Sequence, residues 1–328
     1  MNKRILTGDR PTGRLHLGHY IGSLQNRIRL QHSHQTLILI ADIQALTTHF
    51  ERPSLINKSI YQVAIDNLAV GLDPNKVVFI QQSQVKAIAE LTVLYSMLIS
   101  VNTLRHNPTI KAEAMQYGYD DLTYGFLGYP VSQAADITFC KADLVPVGED
   151  QKPHIEVARK LVRRFNDLYN TNVLTLPEML LSDCPRLVGI DGNNKMGKSL
   201  NNAIYLDDEK QIVQEKIRRA KTDPGRIHPS DPGSPDVCVI SQYHKAFNCS
   251  EYQNICELCK KGAIGCVACK KQLADLINDL LDPIRERESY YKARLNEVRS
   301  IISAGTHYAN EIGDETINEI KDAMHILL

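Results

Sequence analysis

From the N-terminus to about residue 181, short apolar runs alternate with longer segments of helical period. This alternation limits the fold more than any other feature. Leu37 to Ala41, Val77 to Ile80 and Leu144 to Val147 read as strands. Between them, Ser54 to Leu72 repeats Leu55, Ile56, Ile60, Val63, Ala64 and Leu68 near helical spacing, and Gly71 supplies a stop before Asp73-Pro74. Ala87 to Ser100 is a second helix with a broad apolar face. Strands separated by helices argue for a parallel sheet covered on both faces. The expected fold is α/β, a Rossmann-like doubly wound parallel sheet.

Two motifs sit on this frame. Arg4 to Thr7 reads as a first strand and leads into Thr12-Gly13-Arg14-Leu15-His16-Leu17-Gly18-His19, followed by a helix-like run from Tyr20 to Leu30. Glycines and two imidazoles thus fall at a strand-to-helix turn, where backbone N–H groups and the positive end of the helix dipole favour a polyphosphate. In mid-chain, Lys195-Met196-Gly197-Lys198-Ser199 is a lysine-rich loop flanked by Asn193, Asn194, Asn201 and Asn202. It can fold over phosphates and bring two ammonium groups to them. Either motif alone reads equally as a capping turn or a solvated loop. The pair, in this order and at this separation, is what carries weight.

At 328 residues and 43% hydrophobic content the chain has apolar surface for two domains. It has no apolar leader and no stretch near 18 uninterrupted apolar residues, so it reads as cytoplasmic, with no membrane partner. Lys plus Arg equals Asp plus Glu at 38 each, so the net charge says nothing of a polyanion. The distribution is less neutral: Lys216 to Lys221 reads K-I-R-R-A-K, and Lys260, Lys261, Lys270 and Lys271 cluster without an acid. These are either a footprint for RNA or solvated helix faces. Asn107 to Gly128, rich in tyrosine and glycine, reads as an insertion and a candidate subunit interface. Beyond the lysine loop, Asp207 to Arg219, Lys270 to Ala293 and Tyr291 to Ser303 look helical, around a Pro- and Gly-rich loop from Asp223 to Pro235. Asp314 to Leu328 reads as a final amphipathic helix bearing Ile317, Ile320, Met324 and Leu327.

Eight cysteines exceed what a reducing compartment uses for disulfides. Cys256-x2-Cys259-x6-Cys266-x2-Cys269 could present four thiolates tetrahedrally, which points to structural zinc.

The paired motifs resemble the signatures of class I aminoacyl-tRNA synthetases, and the resemblance narrows to the tryptophanyl-tRNA synthetase family. Leu6-Thr7-Gly8-Asp9-Arg10-Pro11-Thr12-Gly13 and Tyr20-Ile21-Gly22 look like that family's opening. Asn107 to Lys111 and Gly128-Tyr129-Pro130-Val131-Ser132-Gln133-Ala134-Ala135-Asp136-Ile137 resemble its insertion and amino-acid pocket. Most specific is Val145-Pro146-Val147-Gly148-Glu149-Asp150-Gln151, with His154, Glu156, Arg159 and Arg164-Phe165-Asn166 behind it. Tyrosyl enzymes share the class but not this string.

The resemblance implies a catalytic domain over residues 1–204, with an insertion near 81–130 and a mobile loop at 193–202. A smaller helical anticodon-binding domain would span 205–293, and C-terminal helices at 294–328 would pack back on the body. It implies activation of L-tryptophan by ATP and Mg2+, transfer to the 2′-hydroxyl of the terminal adenosine of tRNA(Trp), and a homodimer. His16, His19, Lys111, Lys195 and Lys198 would act on the phosphates. Arg10, Thr12, Gly18, Gly148, Asp150, Gln151, Met196 and Ser199 would complete the ATP site, Gly18 by letting ATP approach the backbone. Asp136 would receive the indole N–H in a pocket lined by Leu6, Gly8, Gln44, Tyr129, Gln133, Ile137, Val145, Val147 and Gln151.

A subset of the family carries C-x22-C-x6-C-x2-C, associated with a [4Fe-4S] cluster. Cys259, Cys266 and Cys269 match its last three positions, and Cys238 falls at the first with a spacer of 20. Zinc or iron, and Cys238 or Cys256, stay open at this point. Two other departures stand out: Gly197 replaces a usual serine, which predicts a looser loop, and Gln44 stands where many members have histidine. Rival readings are a tyrosyl enzyme, another nucleotidyl transferase and a regulatory copy. The intact His16, His19, Lys195 and Lys198 weigh against the last.

Overall fold

A computed structural model describes residues 3–148, 151–181, 187–192 and 196–327. Strand β1 (Arg4–Asp9) leads to α1 (Leu17–His19), a π-type turn at Tyr20–Leu24, and α2 (Gln25–Leu30). Then come β2 (Gln35–Ile40), α3 (Asp42–His49), α4 (Pro53–Ala69) and β3 (Val77–Gln81). The long crossover to the next strand holds α5 (Lys86–Ser96), α6 (Val101–Arg105), α7 (Pro108–Tyr117) and α8 (Tyr124–Thr138). Strand β4 (Leu144–Val147), α9 (Lys152–Leu168) and β5 (Glu178–Leu181) complete the sheet. The remaining helices are α10 (Lys210–Arg219), α11 (Val239–Phe247), α12 (Tyr252–Lys260), α13 (Cys266–Lys292) and α14 (Leu295–Ala323).

The sheet has five strands in the order β3-β2-β1-β4-β5, and every neighbouring pair is parallel. The chain therefore winds outward from β1 in one direction and then, after β3, returns to build in the other. Between β1 and β4 the connections leave toward opposite faces, which opens a crevice at the carboxyl ends of these two strands. Asp9 ends β1 there and Arg10 follows it, and Gly148 follows β4.

Strand β2 is buried on both faces, and its side chains alternate between two cores. Leu37 and Leu39 join Leu6, Ile80 and Val145 beneath α5, α8 and α9; Ile38 and Ile40 join Phe79 beneath α4 and α14. A third cluster packs Val213, Ile217, Ile240, Tyr243, Leu273 and Ile277 of the helical segment against Leu15, Leu17, Leu24, Met196 and Ile204. The phosphate-type turn and the lysine loop thus share one core with α10, α11 and α13.

The C-terminal helix differs from the sequence expectation. Tyr291 to Ser303 and Asp314 to Leu328 were expected as separate helices, yet α14 runs unbroken from Leu295 to Ala323. At Gly305 α14 meets β3, and a Cβ there would strike the backbone of Phe79. The glycine is a contact point between helix and strand, and does not break the helix. No helix among the described residues is long and apolar enough to cross a membrane.

Candidate active site

The strand-to-helix turn is built around its two histidines. His16 is the N-cap of α1, and its Nδ1 accepts the Gly18 backbone N–H at 3.1 Å. The His16 backbone N–H in turn donates to His19 Nδ1 at 3.2 Å, and the ring centroids lie 3.9 Å apart. A nitrogen that accepts from a backbone N–H carries no proton, so each imidazole must hold its proton on Nε2. Burial, the neighbouring His16 and the Lys198 charge hold His19 well below the ordinary histidine range, against the pull of Asp9. His19 is therefore neutral at pH 7, and both rings present an Nε2–H donor.

Gly18 has a local reason besides ligand approach. A Cβ there would lie 2.9 Å from His16 Cε1 and 3.0 Å from Nδ1, with Met196 Cβ at 3.4 Å. The bare backbone lets the imidazole fold onto its own helix. After this turn the helix widens to π-type geometry at Tyr20–Leu24, a distortion common near functional sites.

Buried polar groups hold the turn to the sheet. Arg27, 2% exposed, grips Asp9 through two bonds of 2.6 and 3.1 Å, and also donates to Asn67 Oδ1 and the Gly8 carbonyl. Burial pushes the Asp9 carboxyl up, but the Arg27 charge and hydrogen bonds prevail and lower it to about 2. Asp66 of α4 accepts the Leu15 N–H at 2.7 Å. Burial pushes Asp66 up to about 7, against the hydrogen bonds from Leu15 and Gln62. Neither Arg27 nor Asp66 is signalled by a sequence motif; a buried charge declares itself only through its partner.

The lysine loop closes onto the turn. Lys198 Nζ donates to the Gly13 carbonyl at 2.7 Å. Burial pulls the Lys198 ammonium below its usual pKa, and the Asp9 and Asp66 carboxylates oppose that pull. Met196 is buried beside Gly18, and Ser199 lies within the 3-10 turn Lys198–Leu200. Gly197 has an extended backbone that any residue adopts, so nothing in its conformation requires glycine. The loop is pinned by Asn202, whose Oδ1 accepts the Gly197 N–H and whose Nδ2 donates to Asp191 Oδ1. Ile204 and Leu206 then pair through the backbone with Leu17 and Leu15.

At the same crevice, Leu6, Tyr129, Ile137 and Val145 lie in one apolar cluster, with Val147 packed against it and Gln133 half-buried on α8. Tyr129 Oη pairs with His154 Nε2 at 2.9 Å. Asp136 is buried and accepts Gln82 Nε2–H at 2.7 Å. Burial pushes its carboxyl up to about 7; the Gln82 bond works against this and the Asp42 charge adds to it. Gln44, on α3, is buried as well. Gly8 sits in β1 where a Cβ would meet the Leu39 backbone, so it serves the sheet as well as any ligand.

Other expected residues are less drawn in. Arg10 pairs with Glu113 of α7 at 3.4 Å, and Thr12 is half-buried in the turn. Lys111 lies on the exposed side of α7. The Gln151 N–H donates to the Gly148 carbonyl at 3.0 Å at the start of α9. Asp150 and Lys195 lie outside the described residues.

The expected metal centre is not assembled: among the described residues no three His, Cys, Asp or Glu side chains form a group able to hold an ion. Two of the sulfurs have other contacts. Arg226 Nη1 donates to Cys259 Sγ at 3.7 Å, and His244 Nε2 lies 3.4 Å from Cys269 Sγ. Burial pushes the Cys269 thiol up to about 12, helped by the nearby thiols of Cys238, Cys259 and Cys266. Cys256 instead packs against Ser241. The basic cluster is also thinner than its sequence suggests, because Lys270 donates to the Arg218 and Ala220 carbonyls at the end of α10.

The match to known proteins spans nearly the whole chain. Residues 2–282 match the family model described as tRNA synthetases class I (W and Y). A tryptophan–tRNA ligase of Streptococcus pneumoniae is 44% identical over 330 residues, covering 98% of this chain and 97% of that protein. One of Streptococcus mutans is 45% identical over 332 residues, covering 98% of each. The structure of the tryptophanyl-tRNA synthetase from Campylobacter jejuni complexed with ADP and tryptophan superposes with a TM-score of 0.86 at 28% identity, covering 98% of this chain and 99% of the other. That from Mycoplasma pneumoniae gives 0.83 at 28% identity, covering 99% and 98%. The chain belongs to the class I tRNA synthetases of the tryptophan and tyrosine family, within its tryptophan–tRNA ligase branch.

Proposed function

We propose that this chain works in the cytoplasm, joining L-tryptophan to ATP as tryptophanyl-adenylate and passing the aminoacyl group to the 2′-hydroxyl of the terminal adenosine of tRNA(Trp). The observation that supports it most is the 2.7 Å bond from Lys198 to the Gly13 carbonyl. It brings the two signatures to one rim, where two imidazole Nε2–H donors and an ammonium meet at a helix N-terminus.

In the first step the tryptophan carboxylate attacks the α-phosphate in line, and the bond to pyrophosphate breaks. The protein forms no covalent bond. It orients the reactants and meets charge gathering on phosphate oxygens with fixed donors. His16 and His19 donate from Nε2, as neutral groups that need no proton change. Lys198 leaves the Gly13 carbonyl for the β- and γ-phosphates, joined by Lys195 and Lys111. Mg2+ would accompany ATP and offset charge on its phosphates. Arg10, Thr12, Gly148, Asp150, Gln151, Met196 and Ser199 surround the nucleotide, and Asp136 receives the indole N–H, since a carboxylate is a pure acceptor.

Residues 1–204 would form the catalytic domain and 205–293 the tRNA-binding one. Lys260, Lys261 and Lys271 are exposed there. Val93, Met97, Val101, Met115 and Tyr124, exposed on α5 to α8, support pairing with a second copy. Sedimentation at twice the chain mass would bear this out, and sedimentation at 36.9 kDa would not. A zinc ion or [4Fe-4S] cluster on Cys238, Cys259, Cys266 and Cys269 has the donor chemistry in its favour, and requires the Arg226 and His244 contacts to give way. Elemental analysis of the purified protein decides it: bound zinc or iron supports the site, and metal-free protein removes it.

The active-site reading is tested by Lys198→Ala in tryptophan-dependent exchange of pyrophosphate into ATP. Loss of a preorganised charge on the phosphates should lower kcat by about 100- to 1,000-fold. The KM for tryptophan should stay unchanged. A kcat within about threefold of the parent rules out the assigned role.

A further inference from the structure

The amino-acid end of the crevice is organised by a residue that neither signature contains. Gln82 opens the 3-10 turn Gln82–Gln84 at the carboxyl end of β3 and is wholly buried. Its Oε1 accepts the Gln44 backbone N–H at 2.9 Å, and its Nε2 donates to Asp136 Oδ1 at 2.7 Å. A backbone N–H can only donate, so the amide has a single satisfied orientation, with its NH2 end on Asp136.

The turn itself is fixed by Asp42. That carboxylate accepts from the Ser83 N–H at 2.8 Å, from Ser83 Oγ at 2.6 Å and from Gln81 Nε2 at 2.9 Å. Gln82 is therefore held at both ends and from beneath. Among the described residues, the buried side-chain Oε1 of Gln44 has no hydrogen-bond partner. A buried acceptor left unmade is costly, and a donor brought by a ligand relieves it.

We infer that Gln82 is the positioning residue that makes this pocket select an indole: by donating to one Asp136 oxygen while accepting the Gln44 backbone N–H, it fixes the Asp136 carboxylate as the acceptor at the pocket end. An indole N–H is donor only and satisfies such an end. A ligand that lacks this N–H leaves the acceptor unpaired. A site built around a required hydrogen bond discriminates more sharply than apolar shape alone. The inference rests on the reading that Asp136 meets the indole.

The test compares tryptophan with its benzothienyl analogue, in which sulfur replaces the indole N–H. Pyrophosphate exchange is measured for the parent chain, Asp136→Ala, Gln82→Met and Gln82→Glu. The glutamate keeps the volume and the acceptor for Gln44 but replaces the neutral N–H donor with a second carboxyl against Asp136, and serves if the methionine variant does not fold. The parent should favour tryptophan over the analogue by about 10- to 100-fold in kcat/KM, the worth of a hydrogen bond to a charged group. Both Gln82 variants should shrink that ratio at least about fivefold, through a rise in KM for tryptophan that the analogue does not share.

A purely structural role would raise both KM values alike and leave the ratio intact. If Asp136→Ala collapses the ratio and the Gln82 variants do not, Gln82 is not the positioning residue. If the parent shows no preference, or Asp136→Ala leaves it unchanged, the reading of Asp136 itself fails and the inference falls with it.

Discussion

Replacing Arg27 with methionine should uncouple the catalytic turn from the sheet. Arg27 is 2% exposed and the Asp9 side chain 9%. Their two-pronged bond is supplemented by Asn67, which accepts from Arg27 and donates to Asp9. With Arg27 present the Asp9 carboxyl is lowered from 3.8 to about 2. A shift of that size corresponds to about 2.5 kcal/mol of native-state stability at neutral pH. Arg27→Met keeps most of the volume but strands the carboxylate, and breaking one partner of a buried pair costs about 3–5 kcal/mol.

The pH dependence has a definite sign. A depressed carboxyl stabilises the native state above its unfolded pKa, near 4, and that contribution fades as pH falls through about 2. In Arg27→Met, burial acts on Asp9 with only the Asn67 hydrogen bond and the nearby His19 against it, so protonation relieves the variant as the solution is acidified. The gap in urea midpoint between parent and variant should be widest near pH 8 and should narrow steadily toward pH 3. Asp9→Asn in the Arg27→Met background should recover at least about half the loss, because it removes the stranded charge. A cost under about 1 kcal/mol at pH 8, or no recovery in the double variant, would refute the reasoning.

Two further outcomes follow from the site. Gly18→Ala places a Cβ 2.9 Å from His16 Cε1, so the imidazole must shift; exchange kcat should fall. The expected loss is about 10- to 100-fold with an unchanged KM for tryptophan, and a kcat within about twofold of the parent would show that the ring has room. The Asp136 carboxyl, raised to about 7 chiefly by burial, is a charged, pure acceptor only when ionised. The KM for tryptophan should therefore rise about five- to tenfold between pH 8 and pH 6. A flat profile over that range would show that Asp136 does not titrate in the binding step.

What the sequence disclosed and what it hid divide along a physical line. Local period shows β2 and α4 plainly, because burial repeats every two residues in one and nearly four in the other. The strand-to-helix turn at His16 was legible for the same reason, as it sits where one period gives way to the next. Gln82 meets Asp136 across 54 residues and Asp66 meets Leu15 across 51, and no periodicity reports such pairings. The contact of Gly305 with Phe79 exists only once α14 lies on β3, so the sequence did not show one helix running through it. Cysteine spacing suggested a metal centre, but spacing is blind to Arg226 and His244, which contact two of the sulfurs. Lys270 read as surface charge and turned out to cap the end of α10.

The most direct test of the whole account is amino-acid-dependent exchange of pyrophosphate into ATP by the purified chain, with tryptophan and tyrosine run side by side. Robust exchange with tryptophan and none above background with tyrosine is the predicted result. Exchange with both at similar kcat/KM, or with neither, would contradict it.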